Sequence, residues 1–383
     1  MIYLDNAATS FPKPAAVAQA MMEFMIAVGA NPGRSGYASS AEAGRIVHDC
    51  REQLARLFDI PDARQLVFTK NATEAICLSL SGFLREGDEV VTTGMEHNAV
   101  MRPLSYLGET RGVSIKAAEC DGQGRLDLES LAGLITERTR LVVVNHASNV
   151  TGTIQPLREI SDAIGETPLL VDAAQTAGAL EINVQRDRIA FLAFTGHKSL
   201  LGPQGTAGLY IREDLTGQVS PLLRGGTGSK SEEERQPEIM PDKFEAGTMN
   251  TVGVAGLGAA VRFLTGNATS AIHAREFALT QRMIGGLEQV EGLSLFGPPG
   301  DQDRMPVVSF TLEHADLAEV GRRLDREFGI ACRVGLHCAP RAHRTIDTFP
   351  DGTIRLSPGY TTTESEVDET VNAVRIIAAG ART

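Results

Sequence analysis

Ala190-Phe191-Leu192-Ala193-Phe194-Thr195-Gly196-His197-Lys198-Ser199 is an apolar run that ends abruptly in small and polar residues and leaves one lysine on the turn. A run of this length with aromatics reads as a strand inside a parallel sheet, and such sheets place their ligand sites at the carboxyl ends of the strands. Lys198 sits at such an end. A lysine in a partly desolvated pocket has a lowered pKa, and the neutral amine it then supplies can form a Schiff base with an aldehyde cofactor. Read alone, a lysine after a strand is usually a solvated loop residue. Its neighbours change that reading.

Upstream, Thr167-Pro168-Leu169-Leu170-Val171-Asp172-Ala173-Ala174-Gln175 is a second apolar strand running into an acid. A carboxylate at that place can keep the nitrogen of a pyridine ring protonated and so make the ring an electron sink for a carbanion. The bland alternative for Asp172 is a cap or a turn. Strand-end Asp followed by strand-end Lys is the order that pyridoxal chemistry requires.

On these residues, the chain resembles the fold-type I pyridoxal-phosphate enzymes of the class V aminotransferase group, and within it the cysteine desulfurases and selenocysteine lyases. Matching segments run from Tyr3-Leu4-Asp5-Asn6-Ala7-Ala8-Thr9 to Arg355-Leu356-Ser357, nearly the whole chain. Between them, in family order, come Asn71-Ala72-Thr73-Glu74-Ala75, Glu96-His97-Asn98-Ala99, Ser148-Asn149-Val150-Thr151-Gly152, Thr195-Gly196-His197-Lys198 and Arg333-Val334-Gly335-Leu336-His337-Cys338-Ala339. The resemblance implies an α/β fold: a large domain over 15–260 with a mostly parallel sheet of the seven-stranded type, and a smaller α+β C-terminal domain over 261–383 on which 1–14 docks. It implies pyridoxal 5'-phosphate as cofactor, and L-cysteine, or L-selenocysteine, as substrate. It further implies a homodimer and a thiol acceptor protein for the mobilised sulfur, as in iron–sulfur cluster assembly.

Composition sets outer bounds. At 383 residues with 42% hydrophobic content, the chain is long enough to fill two cores. No apolar run approaches bilayer length and Met1-Ile2-Tyr3-Leu4-Asp5-Asn6 lacks the pattern of a secretion signal, so a soluble cytoplasmic protein is expected. A net charge of -12 without clustered Lys and Arg argues against a nucleic-acid surface. Five scattered cysteines do not make a disulfide framework and suit a reducing compartment.

Along the chain, Ala15 to Val28 and Ala41 to Phe58 have helical spacing, with Gly29 closing the first. Arg34, in the loop that follows, is a candidate substrate neighbour by the resemblance. Asn71-Ala72-Thr73 opens a helix after the strand Gln65–Thr69, and a helix N-terminus with the Thr73 hydroxyl is a natural phosphate cradle. His97, at the end of the strand Glu89–Thr93, offers a flat imidazole to stack on the cofactor ring. Asn149 and Gln175 are candidates for hydrogen bonds to the phenolic oxygen of the cofactor, and Thr195, His197 and Lys198 complete its expected contacts. Thr248, in Phe244-Glu245-Ala246-Gly247-Thr248, matches a family segment that reaches the phosphate of the partner subunit's site.

Cys338 lies in a loop after Gly329-Ile330-Ala331-Cys332 and is the candidate nucleophile. A thiol is only a few per cent thiolate at neutral pH, so His337, Arg333 or the substrate amine would help to activate it. A zinc site with His337 and His343 matches no common ligand spacing, and no metal is expected. Leu336 stands where many relatives carry His. Arg355 ends a short strand, and its guanidinium suits the α-carboxylate of an amino acid. Arg333 is a second candidate for substrate contact.

Overall fold

Strands that are buried on both faces read as continuous apolar runs, and three of these form the middle of the large sheet. In the computed structural model, which describes residues 1–33, 36–266, 269–300, 302 and 304–380, a short N-terminal strand β1 (Ile2–Tyr3) precedes seven strands of one sheet. These are β2 (Leu66–Thr69), β3 (Glu89–Thr93), β4 (Ser114–Ala118), β5 (Thr139–Asn145), β6 (Leu169–Asp172), β7 (Phe191–Thr195) and β8 (Ala207–Ile211), in the spatial order β2-β8-β7-β6-β5-β3-β4. Neighbours run parallel except at β8, which is antiparallel to both β2 and β7. The mostly parallel seven-stranded sheet is therefore present, and β7 is the strand on which the sequence reading turned.

The pleat of β7 feeds two cores. Leu192 and Phe194 face one buried cluster, with Leu66 and Val171, while Phe191 and Ala193 face the other, with Ala75 and Leu209. Each buried aromatic contributes about 2 kcal/mol in area removed from water. Because β3, β5, β6 and β7 are consecutive parallel neighbours, their carboxyl ends at Thr93, Asn145, Asp172 and Thr195 lie side by side. That edge is where the chemistry gathers.

A second sheet, antiparallel in the order β12-β13-β10-β9, is made by β9 (Leu293–Phe296), β10 (Val308–Leu312), β12 (Arg333–Gly335) and β13 (Thr353–Leu356), while β11 (Ile330–Ala331) pairs with β1. Ile2 and Leu4 enter the same core as Leu324, Ile330 and Leu356. The helix Thr251–Gly266 crosses position 260 unbroken and packs on the helices Ala15–Glu23 and Ala38–Leu57. The second of these starts earlier than its apolar spacing suggests. The first continues as a π-helical turn, Phe24–Val28, to the left-handed Gly29.

The turn after β5 locks the two sheets together. Four successive carbonyl oxygens each accept a hydrogen bond from the C-terminal third of the chain: Asn149 from Arg355 Nη1 at 3.0 Å, Val150 from Ser309 Oγ at 2.6 Å, Thr151 from Arg304 Nη2 at 2.7 Å, and Gly152 from the Met305 N–H at 2.9 Å. Arg304 is 2% exposed and also donates to Val307 O at 2.6 Å. Gly152 has φ 75°, and a Cβ there would stand 2.9 Å from Met305 O and 3.1 Å from Val307 O. Gly152→Ala is expected to destabilise the fold by about 2 kcal/mol, from left-handed strain and overpacking together. Denaturant unfolding measures it; an unchanged midpoint would mean that the turn yields.

Candidate active site

Each parallel strand ends in a polar turn, and the turns line a cleft that opens to solvent. Its walls are Asn71, Ala72, Thr73, His97, Ala99, Asn145, Ala147, Asn149, Asp172, Ala174, Gln175, Thr195, His197 and Lys198. Every cofactor contact expected from the sequence is on that wall except Thr248. Thr248 lines a separate groove with Gly205, Met249 and Asn250. Arg34 lies outside the described residues.

Lys198 and Asp172 line the same cleft, each within electrostatic reach of the other. Burial pushes the Lys198 amine down to about 8, Asp172 pulls it back up, and Arg355 and Arg333 press it down further. Burial raises the Asp172 carboxyl, while the Ala174 N–H on its Oδ1 at 2.9 Å and the Lys198 charge oppose that rise. The turn that carries the lysine is held from behind. Ser10 Oγ donates to Lys198 O at 3.0 Å, and Lys13 Nζ donates to His197 O at 2.7 Å.

His97 caps the helix Asn98–Arg111, and its Nδ1 accepts the Ala99 N–H at 3.0 Å. The ring proton therefore sits on Nε2 when the imidazole is neutral. Burial, then the nearby Lys198, Arg102 and Arg355, hold its pKa down to about 4, so the ring is a neutral plate at neutral pH. His197 is likewise held down to about 4, mainly by burial.

Thr195 Oγ1 and His197 Nδ1 are buried and have no partner within the protein. Asn71 Oδ1 occupies only the Glu74 N–H at the start of the helix Ala72–Phe83, and the first N–H groups of a helix have no intrahelical acceptor. Unpaired donors at a helix N-terminus, an amine, an opposed carboxylate and a neutral imidazole plate together fit a phosphorylated pyridine aldehyde.

Two expected contacts are already engaged elsewhere. Asn149 Nδ2 donates to His337 O at 2.8 Å and Gln175 Nε2 to Ala7 O at 3.1 Å, so both side chains tie loops to the cleft wall. Arg355 is 2% exposed, and its Nη2 pairs with Asp5 Oδ1 at 2.8 Å, leaving Nε without a partner. Arg333 holds the other oxygen of Asp5 at 3.0 Å. Nothing local in the sequence connects Asp5 to an arginine 350 residues away. Glu96 was missed for the same reason. It is fully buried, its Oε1 accepts from Thr93 Oγ1 at 2.7 Å and from the Asn145 N–H at 3.1 Å, and burial pushes its pKa up to about 8.

Cys338 is exposed on a tight turn in which His337 and Cys338 both have left-handed backbones, φ 48° and 58°. Its carbonyl accepts the Asn98 N–H at 2.8 Å, which pins the turn to the helix that His97 caps. Arg355 is within electrostatic reach of the thiol. His337 is buried, with Nε2 3.1 Å from Thr353 Oγ1, and burial beside Arg355 presses its pKa down to about 2. Its ring therefore carries no charge at neutral pH. Cys332 packs beside the small core, and burial pushes its pKa up to about 12. No group of three or more metal-ligating side chains is present among the described residues.

The fold and this cleft define a fold-type I pyridoxal-phosphate enzyme. The sequence profile of Aminotransferase class-V matches residues 2–370, and the chain belongs to that family. It is 35% identical to a probable cysteine desulfurase of Methanothermobacter thermautotrophicus, over 96% of this chain and 92% of that protein. It is 34% identical to a cysteine desulfurase of Pectobacterium carotovorum, over 98% and 93%. Among solved structures, the apo cysteine desulfurase of Thermococcus onnurineus superposes with a TM-score of 0.93 at 32% identity, covering 99% of this chain and 95% of that one. The cysteine desulfurase CsdA of Escherichia coli, in an S-sulfonic acid form, gives 0.87 at 30%, covering 99% and 94%.

The depressed amine has a stability consequence. Because Lys198 titrates near 8 when folded and at its ordinary 10.5 when unfolded, the unfolded chain binds more protons between those values, and stability rises with pH across that window. In cofactor-free protein, Lys198→Met is expected to be more stable than the parent at pH 7 by up to about 3 kcal/mol, with the difference closing towards pH ~10.5. Urea titrations at pH 7, 8.5 and 10 check both the sign and the window.

Proposed function

We propose that this chain is a pyridoxal-phosphate-dependent cysteine desulfurase that releases L-alanine from L-cysteine and retains the sulfur on Cys338. The observation that carries the reading is the exposed Cys338, whose carbonyl is held by the Asn98 N–H between His97 and Ala99 of the same cleft wall that carries Lys198 and Asp172. Pyridoxal phosphate, when bound, supplies the electron sink that makes the substrate Cα–H acidic. Ala72, Thr73, Thr195 and His197 would hold its phosphate side, His97 its ring face and Asp172 its ring nitrogen.

The chain's own groups do the rest. Lys198 takes the Cα proton and holds it at Nζ, which a pKa near 8 permits at working pH. Arg355, with its unpartnered Nε, receives the substrate α-carboxylate, and Arg333 adds positive charge beside it. The Cys338 thiolate attacks the substrate sulfur; the carbon–sulfur bond breaks, its electron pair stays on carbon, and a persulfide remains on the protein. The sulfur then passes to a thiol acceptor protein, such as one that serves iron–sulfur cluster assembly. Five free cysteines support a reducing, cytoplasmic setting.

We read the chain as two domains, 15–260 and 261–383, with 1–14 docked on the second, and as a homodimer in which Thr248 serves the partner's phosphate site. The groove around Thr248, open beside exposed Leu223, supports that reading. Sedimentation at working concentration is expected to give a dimer, and Thr248→Val to weaken cofactor binding; a fully active monomer overturns it.

Cys338→Ser separates this reading from an aminotransferase or lyase of the same family, which needs Lys198 but not the thiol. The variant is expected to bind cofactor and to respond spectrally to L-cysteine, yet to form almost no alanine and carry no persulfide. Cys332→Ser should match the parent. Selenocysteine is a partial exception, since selenium leaves more readily. Full alanine yield from cysteine by Cys338→Ser would exclude the persulfide route.

A further inference from the structure

Arg355 already holds a carboxylate that belongs to the chain. A guanidinium grips a carboxylate with parallel donors either along Nε and Nη2 or along Nη1 and Nη2, so Nη2 belongs to both grips. On Arg355 that nitrogen donates to Asp5 Oδ1 at 2.8 Å, Nη1 donates to Asn149 O at 3.0 Å, and the buried Nε has no partner. An incoming carboxylate finds one donor free and the neighbouring one engaged by a like charge.

Asp5 is also held on its other side, independently of Arg355. Its Oδ2 accepts from Nε and Nη2 of Arg333 at 3.2 and 3.0 Å. Arg333 and Arg355 are directly opposed residues of the antiparallel β12–β13 pair, so their side chains leave the same face of the sheet. The two differ in burial: 46% of the Arg333 side chain is exposed and 2% of the Arg355 side chain, with Asp5 between them at 15%. Two positive charges and one negative charge leave the cluster one positive charge to spare, which equals the charge of one α-carboxylate. The backbone fixes where Asp5 stands, because Leu4 O accepts the Ser357 N–H at 2.7 Å and Asn6 Nδ2 donates to Ser357 O at 3.0 Å, two residues beyond Arg355.

We propose that Asp5 is a built-in stand-in for the substrate α-carboxylate: it keeps Arg355 paired in the empty site and yields Arg355 Nη2 when the substrate arrives, remaining on Arg333. The inference rests on the reading of Arg355 as the carboxylate receptor. The move is a side-chain rotation that lifts Oδ1 from Arg355 while Oδ2 stays paired, so the Asp5 charge is not stranded. A buried guanidinium without a partner is costly, and Asp5 supplies that partner until the ligand does. Every carboxylate ligand therefore binds against a competitor within the chain, whereas an amine that lacks the carboxylate does not.

The test titrates the holoenzyme with L-alanine and with ethylamine, which is alanine without its carboxylate, following the cofactor absorbance and the ligand-induced change in Tm. Asp5→Asn is expected to bind L-alanine at least about fivefold tighter than the parent at low ionic strength and to bind ethylamine as the parent does. Ligand-free Asp5→Asn should melt below the parent, and alanine should raise its Tm by more than it raises the parent's. Asp5→Glu, which restores the charge, should return the alanine affinity towards the parent's. Arg355→Gln should erase the preference for alanine over ethylamine. If Arg355→Gln erases that preference while Asp5→Asn binds alanine no tighter than the parent, Arg355 does receive the carboxylate and the stand-in alone is overturned. If Arg355→Gln keeps the preference, the carboxylate is received elsewhere and the stand-in falls with that reading. A crystal structure of the unaltered holoenzyme with alanine bound tests the exchange without any variant. The ligand carboxylate is expected on Arg355, with Asp5 out of hydrogen-bond range of Nη2 and still on Arg333; Asp5 unmoved on Nη2 overturns the proposal.

Discussion

Four successive carbonyls from Asn149 to Gly152, each held by a donor from between Arg304 and Arg355, are the constraint from which the geometry of the cleft follows. Buried backbone oxygens must find donors, and here two of the donors are guanidinium groups sunk almost out of solvent. The turn belongs to the large sheet and its donors to the region of the small one. Asn149 joins the two sides twice, accepting from Arg355 and donating to the carbonyl of His337. The residue that presents the thiol and the residue proposed to take the substrate carboxylate are thus placed by one backbone segment.

Desolvation then sets the protonation states. An amine, two imidazoles and two carboxyls share the strand ends, and burial drives each towards its neutral form: Lys198 to about 8, His97 and His197 to about 4, Glu96 up to about 8, and Asp172 upward. Proton abstraction at Cα needs a neutral amine, and stacking is served by an uncharged plate. The exception is the Asp5, Arg333 and Arg355 cluster. There Arg355 and Arg333 each take one oxygen of Asp5, and Arg355 also lies within electrostatic reach of Cys338.

The large sheet was legible from residues 65–211 because parallel strands buried on both faces must be apolar throughout, and because each ends in a polar turn that the chemistry marks. Lys198, Asp172, His97, Thr73 and Thr195 were found in that way, and all line one cleft. Arg355 was legible as a strand-end cation with apolar flanks. Its partner was not, since Asp5 lies at the other end of the chain and carries no local sign of the contact. His337, Arg333 and the substrate amine were alternative candidates to activate Cys338; burial beside Arg355 leaves the His337 ring uncharged, and burial of a polar ring in a loop has no sequence signature.

The amino-acid sequence by itself determined the elements, the order in which strand-end groups arrive, and the chemistry that those groups can perform, because periodicity, turn residues and side-chain reactivity are local properties. Tertiary structure alone decided which protonation states prevail, which carbonyls Arg304 and Arg355 satisfy, that Asn149 anchors the Cys338 turn, and that Asp5 meets Arg333 and Arg355 from the other end of the chain. Those outcomes depend on distances between residues tens to hundreds of positions apart and on how much water is left between them. Neither quantity exists until the chain has folded.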